Sequence, residues 1–443
     1  MTPATSAQRP GADVETTIVY GVIPPRFGSP PLQAVAARLP YLAGLGVNAV
    51  WLSPIAACPP GDFGYAVVDE LAIRPDYGDA DDLHALVAAA HSVGIRVLLD
   101  LVPNHTSSQH PFFADASERG RASSYYDWYD RDQDGAPTHY FDWTHLPNLN
   151  YANPEVRAYM DRVFAFWVSE FDVDGFRVDA CWGVQRRRPG YWPAWSRALR
   201  EQKPGVLLIA EASARDEYWY ESGYDLAYDW TDELGHWAWE DVFADAAGIA
   251  GRLDRALAAD PRPGRVLRFL NNNDTGPRFV TRYGPAANRA AAALLMTLPG
   301  TPCIYTGDEV GAEFEPYGEP GVVDWDADPH DLREWYRALC RLRSSRPSLR
   351  APHIARAEAE PGDGCYAYVR HGGDGGGPLL VVVNFGDDDA EVRVAVDQSF
   401  ESLAGAATLA DVLNGGDVPG CAAGIPVPAG SARVLAEPTG GGR

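Results

Sequence analysis

The sequence predicts an α/β chain: a closed (β/α)8 TIM barrel, a loop domain inserted after the third strand, and a C-terminal antiparallel β-sandwich domain. Three observations carry this. Short runs that are apolar on both faces alternate with amphipathic stretches, giving eight β/α units between 16 and 350. One connection, 103–152, is far longer than the others. From 351 to 438 the helical period stops, and β-like runs separated by Gly/Asp turns take over.

In chain order the predicted barrel strands are TTIVYGVI (16–23), NAVWLSPI (48–55), IRVLLDLV (95–102), DGFRVDAC (174–181), GVLLIAEA (205–212), YDLAYDW (224–230), VLRFLNN (266–272) and TPCIYTG (301–307). Strands buried on both faces by helices read this way. Between them, Leu32, Val35, Ala36, Leu39 and Leu42 form one helical stripe in 31–46. Leu83, Leu86, Val87 and Ala90 repeat the pattern in 79–94, where acidic residues crowd the start of the helix. Val156, Tyr159, Met160, Val163 and Trp167 do so in 153–171, where Pro154 suits the first turn. A last helical stretch, 328–346, stops before Pro347. The insert is polar, aromatic and broken by Gly and Pro, as an active-site wall or small domain would be. In the trailing domain the predicted strands are 364–371, 378–385, 390–397 and 432–438, and the terminal GGGR is expected to be disordered.

A net charge of −24 repels phosphate backbones and anionic bilayers, which excludes nucleic acid and membrane surfaces as expected partners. No run of eighteen apolar residues exists, and the first fifteen residues lack the basic-then-apolar pattern of a leader. The six cysteines contain no CxxC pair, so a zinc ribbon is not expected, and Cys181 and Cys303 lie within apolar runs. A reduced, cytoplasmic protein acting on a neutral substrate is the expectation.

In a barrel of this type, chemistry sits where strands end at their C-terminal side. Arg177 and Asp179 end the fourth predicted strand, Glu211 the fifth, and Asp274 follows the seventh; Asp100, Asn104 and His105 follow the third. Residues two apart on a strand point the same way, so Arg177 and Asp179 share the barrel axis. A guanidinium beside Asp179 favours its ionised form, as a nucleophile needs. Glu211, near two negative groups, is biased toward protonation, as a general acid needs. Two such carboxyls about 5–5.5 Å apart are the equipment of double-displacement glycoside hydrolysis. A lone Arg–Asp pair reads as a structural ion pair; two further strand-end carboxylates change that reading.

Seven short motifs appear in order: GVNAVWLSP (46–54), DLVPNH (100–105), LPNLN (146–150), GFRVDACWG (175–183), LIAEA (208–212), FLNNNDT (269–275) and GTPCIYTGDEVG (300–311). By these the chain resembles the α-amylase family, glycoside hydrolase family 13. The resemblance implies Asp179 as nucleophile, Glu211 as acid/base and Asp274 as transition-state stabiliser. It further implies that His105 and Arg177 bind the sugar at the cleavage point and that Tyr65 stacks on it. The substrate so implied is an α-glucan oligosaccharide: maltooligosaccharides, or starch and glycogen fragments cut at α-1,4 links.

Two positions depart from the family pattern. Asn273 stands where a histidine usually precedes the aspartate; it can donate to a sugar hydroxyl but carries no charge. Ala66 follows Tyr65 where relatives that trim single glucoses often carry Asp, which favours an open cleft. The chemistry requires no cofactor. A structural calcium ion has two candidate places, weighed against a plain solvated turn: Asp130, Asp132 and Asp134 open a calcium-like loop that lacks its bidentate glutamate, and the resemblance implies Asn104 as a calcium ligand. The same residues serve glycosyl transfer, isomerisation as in a trehalose synthase, or an α-glucosidase. A non-catalytic family member would lose the carboxylates, and all three stand here.

Overall fold

The structure, a computed structural model, describes residues 13–318 and 321–438. Most of the segment read for a leader and the GGGR tail lie outside the described residues. Eight parallel strands close into a barrel: β1 (Val19–Val22), β2 (Ala49–Leu52), β3 (Arg96–Leu101), β4 (Gly175–Val178), β5 (Leu207–Ser213), β6 (Leu226–Tyr228), β7 (Val266–Phe269) and β8 (Thr301–Tyr305). Each pairs with its sequence neighbours, and β8 returns to β1 with Val19 opposite Cys303. Seven fall inside the predicted runs, and β5 extends one residue past its run to Ser213; all eight are shorter than predicted, because polar ends turn out of the ladder to form the rim.

Helices cover the barrel where the apolar period predicts them: Pro31–Leu45, Ala80–Ser92, Pro154–Phe171 and Leu332–Ser345. The acidic start of the second is a reciprocal cap, Asp79 accepting from the Asp82 amide and Asp82 from the Asp79 amide. Asn153 caps the third and Pro154 opens it. Gly21 in β1 is required by close packing: a Cβ there would stand 2.3 Å from the Tyr305 ring, which crosses the barrel interior from β8.

The insert carries the helix Pro111–Arg119 and a small hairpin, His139–Tyr140 against Trp143–Pro147. Its two ends meet at the barrel rim, where His105 bridges Asn148. The trailing domain is one eight-stranded antiparallel order that folds into two layers. Strand His353–Glu360 makes the corner, its first half pairing with Cys365–His371 and its second with Ala390–Ala395. Ala367, Leu380, Val392 and Ile425 fill the space between the layers. The opposite face, with Tyr366, Tyr368, Val381 and Val383, packs on the barrel core. Leu379–Asn384 is therefore apolar on both faces for the reason a barrel strand is.

The Gly21–Tyr305 contact yields a coupled prediction. Gly21→Ala lowers Tm by several degrees, an overpacking cost of about 1–3 kcal/mol. Adding Tyr305→Leu recovers most of that loss in a thermal melt, whereas two independent defects would add.

Candidate active site

Arg177 is the centre of the rim and is fully buried. Its Nη1 donates to Asp100 Oδ1 and Oδ2 at 2.9 and 3.0 Å and to Asp179 Oδ1 at 2.9 Å. Its Nη2 stands 3.0 Å from Glu211 Oε1, and its Nε donates to the Tyr228 hydroxyl at 3.0 Å. The Trp51 and Tyr228 rings flank the guanidinium at 5.2 and 5.4 Å. Strand period puts Arg177 and Asp179 on one side, and register does the rest: Asp100 lies opposite Arg177, and Val178 opposite Ala210, so the next step sets Asp179 beside Glu211. One cation thus serves three carboxylates, Asp100, Asp179 and Glu211.

Excess negative charge in a buried place raises protonation. Burial pushes Glu211 well above the usual carboxylate range; Arg177 opposes this, and Asp179 and Asp274 reinforce it. Burial also raises Asp179, with Arg177 opposing and Asp100 and Asp274 adding to the rise. Asp179 Oδ2 is buried and has no hydrogen-bond partner among the described residues, while Oδ1 is held by Arg177. Glu211 Oε2 accepts from the Ala180 amide at 2.5 Å. Ala180 adopts a left-handed conformation, φ 43° and ψ 33°, costing on the order of 1–3 kcal/mol, and this turn aims that amide at Glu211.

Asp274 faces these residues across a cleft of about 280 Å³ that also borders His105, Tyr140, Trp143 and Asn273. Burial raises its carboxyl, with Arg177 and Tyr317 opposing. Tyr317, on the loop after β8, donates to Asp274 Oδ1 at 3.2 Å and accepts from Asn273 Nδ2 at 2.8 Å. Asn273 Nδ2 also reaches the Tyr65 hydroxyl at 3.0 Å, and Tyr65 donates to Asp100 Oδ2 at 3.3 Å. Together Tyr65, Asn273, Tyr317 and Phe63 separate this cleft from a second chamber of about 350 Å³ between the loops after β1, β2 and β8.

His105 is buried and stacks on Tyr140, with ring centroids 4.7 Å apart. Burial lowers it to about 3, opposed by the Tyr65 backbone, so the ring is neutral. Its tautomer follows from a chain of donors. Arg187 Nη2 donates to the Asn104 carbonyl at 3.1 Å and to Asn104 Oδ1 at 2.6 Å. That places Asn104 Nδ2 against His105 Nδ1 at 3.1 Å, so Nδ1 accepts and Nε2 carries the proton. Asn104 Nδ2 also reaches Asn148 Oδ1 at 3.2 Å, tying the two ends of the insert together.

The four residues expected to hold calcium do not fit the ion. Both oxygens of Asn104 accept from a guanidinium, and a divalent cation cannot share ligands with it. Asp130 Oδ2 accepts from Thr138 Oγ1, and Asp132 Oδ1 closes a turn onto the Asp134 and Ala136 amides. Among the described residues, no three His, Cys, Asp or Glu side chains are grouped as ligands. Arg187 instead carries the positive charge at Asn104; burial lowers its proton affinity below that of a free guanidinium, with Asp130 and Tyr151 opposing. Gly183 makes room for this knot, since a Cβ there would stand 2.2 Å from Asn104 Oδ1.

The structure therefore brings Asp179, Glu211, Asp274, His105, Tyr65 and Asn273 around one cleft and leaves Asp130, Asp132 and Asp134 in a turn of the insert; Arg177, expected to bind the sugar, is instead fully buried behind Asp179 and Glu211 and does not line the cleft. Trp143 is half exposed on the cleft wall, whereas Trp230 is buried against Tyr228. Asp308 and Glu309 are structural: the first accepts from Asn271 and Arg278, the second from Tyr20 and Tyr41. Sequence reasoning missed Tyr317, Tyr140, Phe63 and Arg187. Arg187 follows the GFRVDACWG motif by four residues and Phe63 precedes Tyr65 by two, which are the available signals; Tyr140 sits in the short hairpin of the insert and Tyr317 in the loop after β8, neither with a motif.

Comparison with known proteins places the chain. The alpha-amylase catalytic-domain family model matches residues 26–354. A cyclomaltodextrinase of a Bacillus species is 32% identical over 399 residues, 84% of this chain and 69% of the relative. Alpha-amylase MalA of Haloarcula japonica is 31% identical over 402 residues, 87% of this chain; the chain spans only 58% of that relative's length. In fold, the crystal structure of Geobacillus thermoleovorans alpha-amylase complexed with acarbose superposes with a TM-score of 0.78 at 24% identity, covering 96% of this chain and 99% of that one.

The knot at Asn104 predicts the response to chelators. Excess EDTA leaves Tm unchanged, because the guanidinium fills the cationic role. Arg187→Ala lowers Tm by several degrees, since a buried amide oxygen left unpaired costs about 1–3 kcal/mol. A Tm drop with EDTA in the wild type would contradict this account.

Proposed function

This chain belongs to the α-amylase family, and on that premise we propose that it is a retaining glycoside hydrolase cutting α-1,4 links in maltooligosaccharides and in starch or glycogen fragments. The observation that carries the proposal is the pairing of Asp179 and Glu211, from neighbouring strands, on one guanidinium with Asp274 across the cleft. In the first step the unpaired Asp179 Oδ2 forms a bond to the anomeric carbon as the glycosidic C–O bond breaks. The leaving oxygen takes the Glu211 proton, for which the carboxyl gives up its contact with Arg177 or with the Ala180 amide. In the second step Glu211 takes a proton from water, whose oxygen bonds the anomeric carbon as the ester to Asp179 breaks. Two inversions restore the α configuration. Asp274, raised by burial but steadied by Tyr317, opposes the positive charge that builds on the ring.

His105 supports the reading as a neutral donor whose Nε2 proton is set by Asn104. Trp143 and Tyr140 offer apolar faces to sugar rings on the insert side. A cytoplasmic setting is part of the proposal, supported by six free cysteines. No helix among the described residues is long and apolar enough to cross a membrane.

Incubation with maltoheptaose tests the function: shorter maltooligosaccharides released as α-anomers, read by NMR before mutarotation, are the expected products. Longer oligomers would assign the site to glycosyl transfer, and trehalose from maltose to isomerisation. Asp179→Asn and Glu211→Gln each lower kcat by on the order of 10³-fold or more while leaving the melt unchanged within a few degrees. The pH profile of kcat/KM is bell-shaped. Activity rises with pH as Asp179 ionises and falls as Glu211 loses its proton, and both limbs lie above the ordinary carboxylate range because burial raises both groups. Glu211→Gln abolishes the alkaline limb.

A further inference from the structure

Strand β5 carries Glu211 and does not run evenly beside β6. Leu226 lies opposite Ile209 and Ala227 opposite Ala210, but the next residue, Tyr228, lies opposite Ser213. Glu211 and Ala212 are left without a partner on β6, and β5 bulges there. Bulges are uncommon between parallel strands, and beside an active site they re-aim a side chain. A slip of two residues keeps every side chain on its own face, so Tyr228 still points toward the barrel axis. On its other edge β5 stays in step with β4, with Val178 opposite Ala210. The bulge therefore turns Glu211 away from β6 and toward β4, where Oε2 meets the Ala180 amide and Oε1 meets Arg177.

Tyr228 closes this bulge and holds Arg177 at the same time. Its carbonyl accepts from the Ala214 amide at 2.9 Å, just past the bulge, and from the Trp230 amide at 2.7 Å. Ser213 Oγ donates to the Trp230 carbonyl at 3.0 Å, a second tie across the same step. The buried Tyr228 hydroxyl accepts from Arg177 Nε at 3.0 Å, and Nε has no other acceptor among the described residues. A guanidinium is planar, so fixing Nε fixes the directions of both Nη groups. We infer that Tyr228 is a positioning residue for the acid and the nucleophile: its hydroxyl sets the plane of Arg177, and its backbone closes the bulge that aims Glu211. The inference rests on the glycosidase reading above and deepens it. Tyr228 does not line the cleft and acts through these two groups alone. Without its hydroxyl, Nε is a buried donor that lacks a partner, and the guanidinium turns to find one. Asp179 is held from Nη1 and Glu211 from Nη2, so that turn cannot keep both contacts. The carboxyl left behind loses the cation that opposes its protonation.

The test follows nitrophenol release from 4-nitrophenyl α-maltoside across pH, for the wild type and three variants. Tyr228→Phe removes one oxygen and keeps the ring. It lowers kcat by about ten- to a hundredfold, as loss of a hydrogen bond to a buried charge does, and changes KM by less than about threefold. It also moves at least one limb of the kcat/KM profile to higher pH, by about half a unit or more. Ser213→Ala loosens the bulge alone. It lowers kcat by about three- to tenfold and moves up only the alkaline limb, which reports Glu211, while the acidic limb of Asp179 stays. Ser213→Thr keeps the hydroxyl and recovers the wild-type profile. A merely structural tyrosine would lower the melting temperature of Tyr228→Phe and leave both limbs in place. That result, from a wild type that cleaves the maltoside, overturns the inference and leaves the glycosidase reading standing. If Tyr228→Phe does not fold, the two Ser213 variants decide: an alkaline limb unmoved in Ser213→Ala overturns the inference in the same way. If the wild type does not cleave the maltoside, the glycosidase reading fails and takes the inference with it.

Discussion

One buried guanidinium organises this protein. Arg177 holds Asp100, Asp179 and Glu211 from three neighbouring strands and is steadied by the Tyr228 hydroxyl. Burial alone would lower its proton affinity; the carboxylates outweigh burial and raise it. Removing it would leave several carboxylates uncompensated in a low-dielectric interior, a situation that costs several kcal/mol per ion. The register of β3, β4 and β5 is thereby tied to electrostatics as well as to packing. The arrangement is also unbalanced, with more negative groups than the one cation can serve. That imbalance drives Glu211 and Asp179 upward and sets the site for acid–base work.

A second cation performs a mechanical task. Arg187 occupies both oxygens of Asn104, and through the Asn104 amide it dictates which nitrogen of His105 carries the proton. The same amide holds Asn148, so the insert is anchored at both ends by the group that sets the histidine. A guanidinium suits this place because its donors are planar and directional and its charge needs no bound ion. On the other wall Tyr65 and Tyr317 donate to Asp100 and Asp274 and accept from Asn273 Nδ2, linking the loops after β2, β7 and β8.

The barrel strands, four covering helices and the three cleft carboxylates were legible in the sequence because each has a local signature. Strands buried on both faces read as apolar runs, and strand-end acids interrupt them at Asp179, Glu211 and Asp274. The trailing domain was half legible. Leu379–Asn384 stood out by its apolar run, but His353–Glu360 did not, since HIARAEAE has the composition of a helix and becomes a strand only because both its edges find partners. The aspartates of the insert were ambiguous for a related reason. Aspartates spaced two apart in YDRDQDG suit a cation loop and suit a hydrogen-bonded turn equally well, and the turn is what the neighbouring amides select.

The amino-acid sequence by itself determined the architecture and the kinds of group at the rim, because strand and helix periods are short-range and the motifs lie within a few residues. Only the tertiary structure decided how charge and protons are shared among them. Tyr317 reaches Asn273 across 44 residues, Arg177 reaches Tyr228 across 51, and Arg187 reaches Asn104 across 83. Contacts at such separations leave no local pattern, since they arise from loops that converge when the barrel closes.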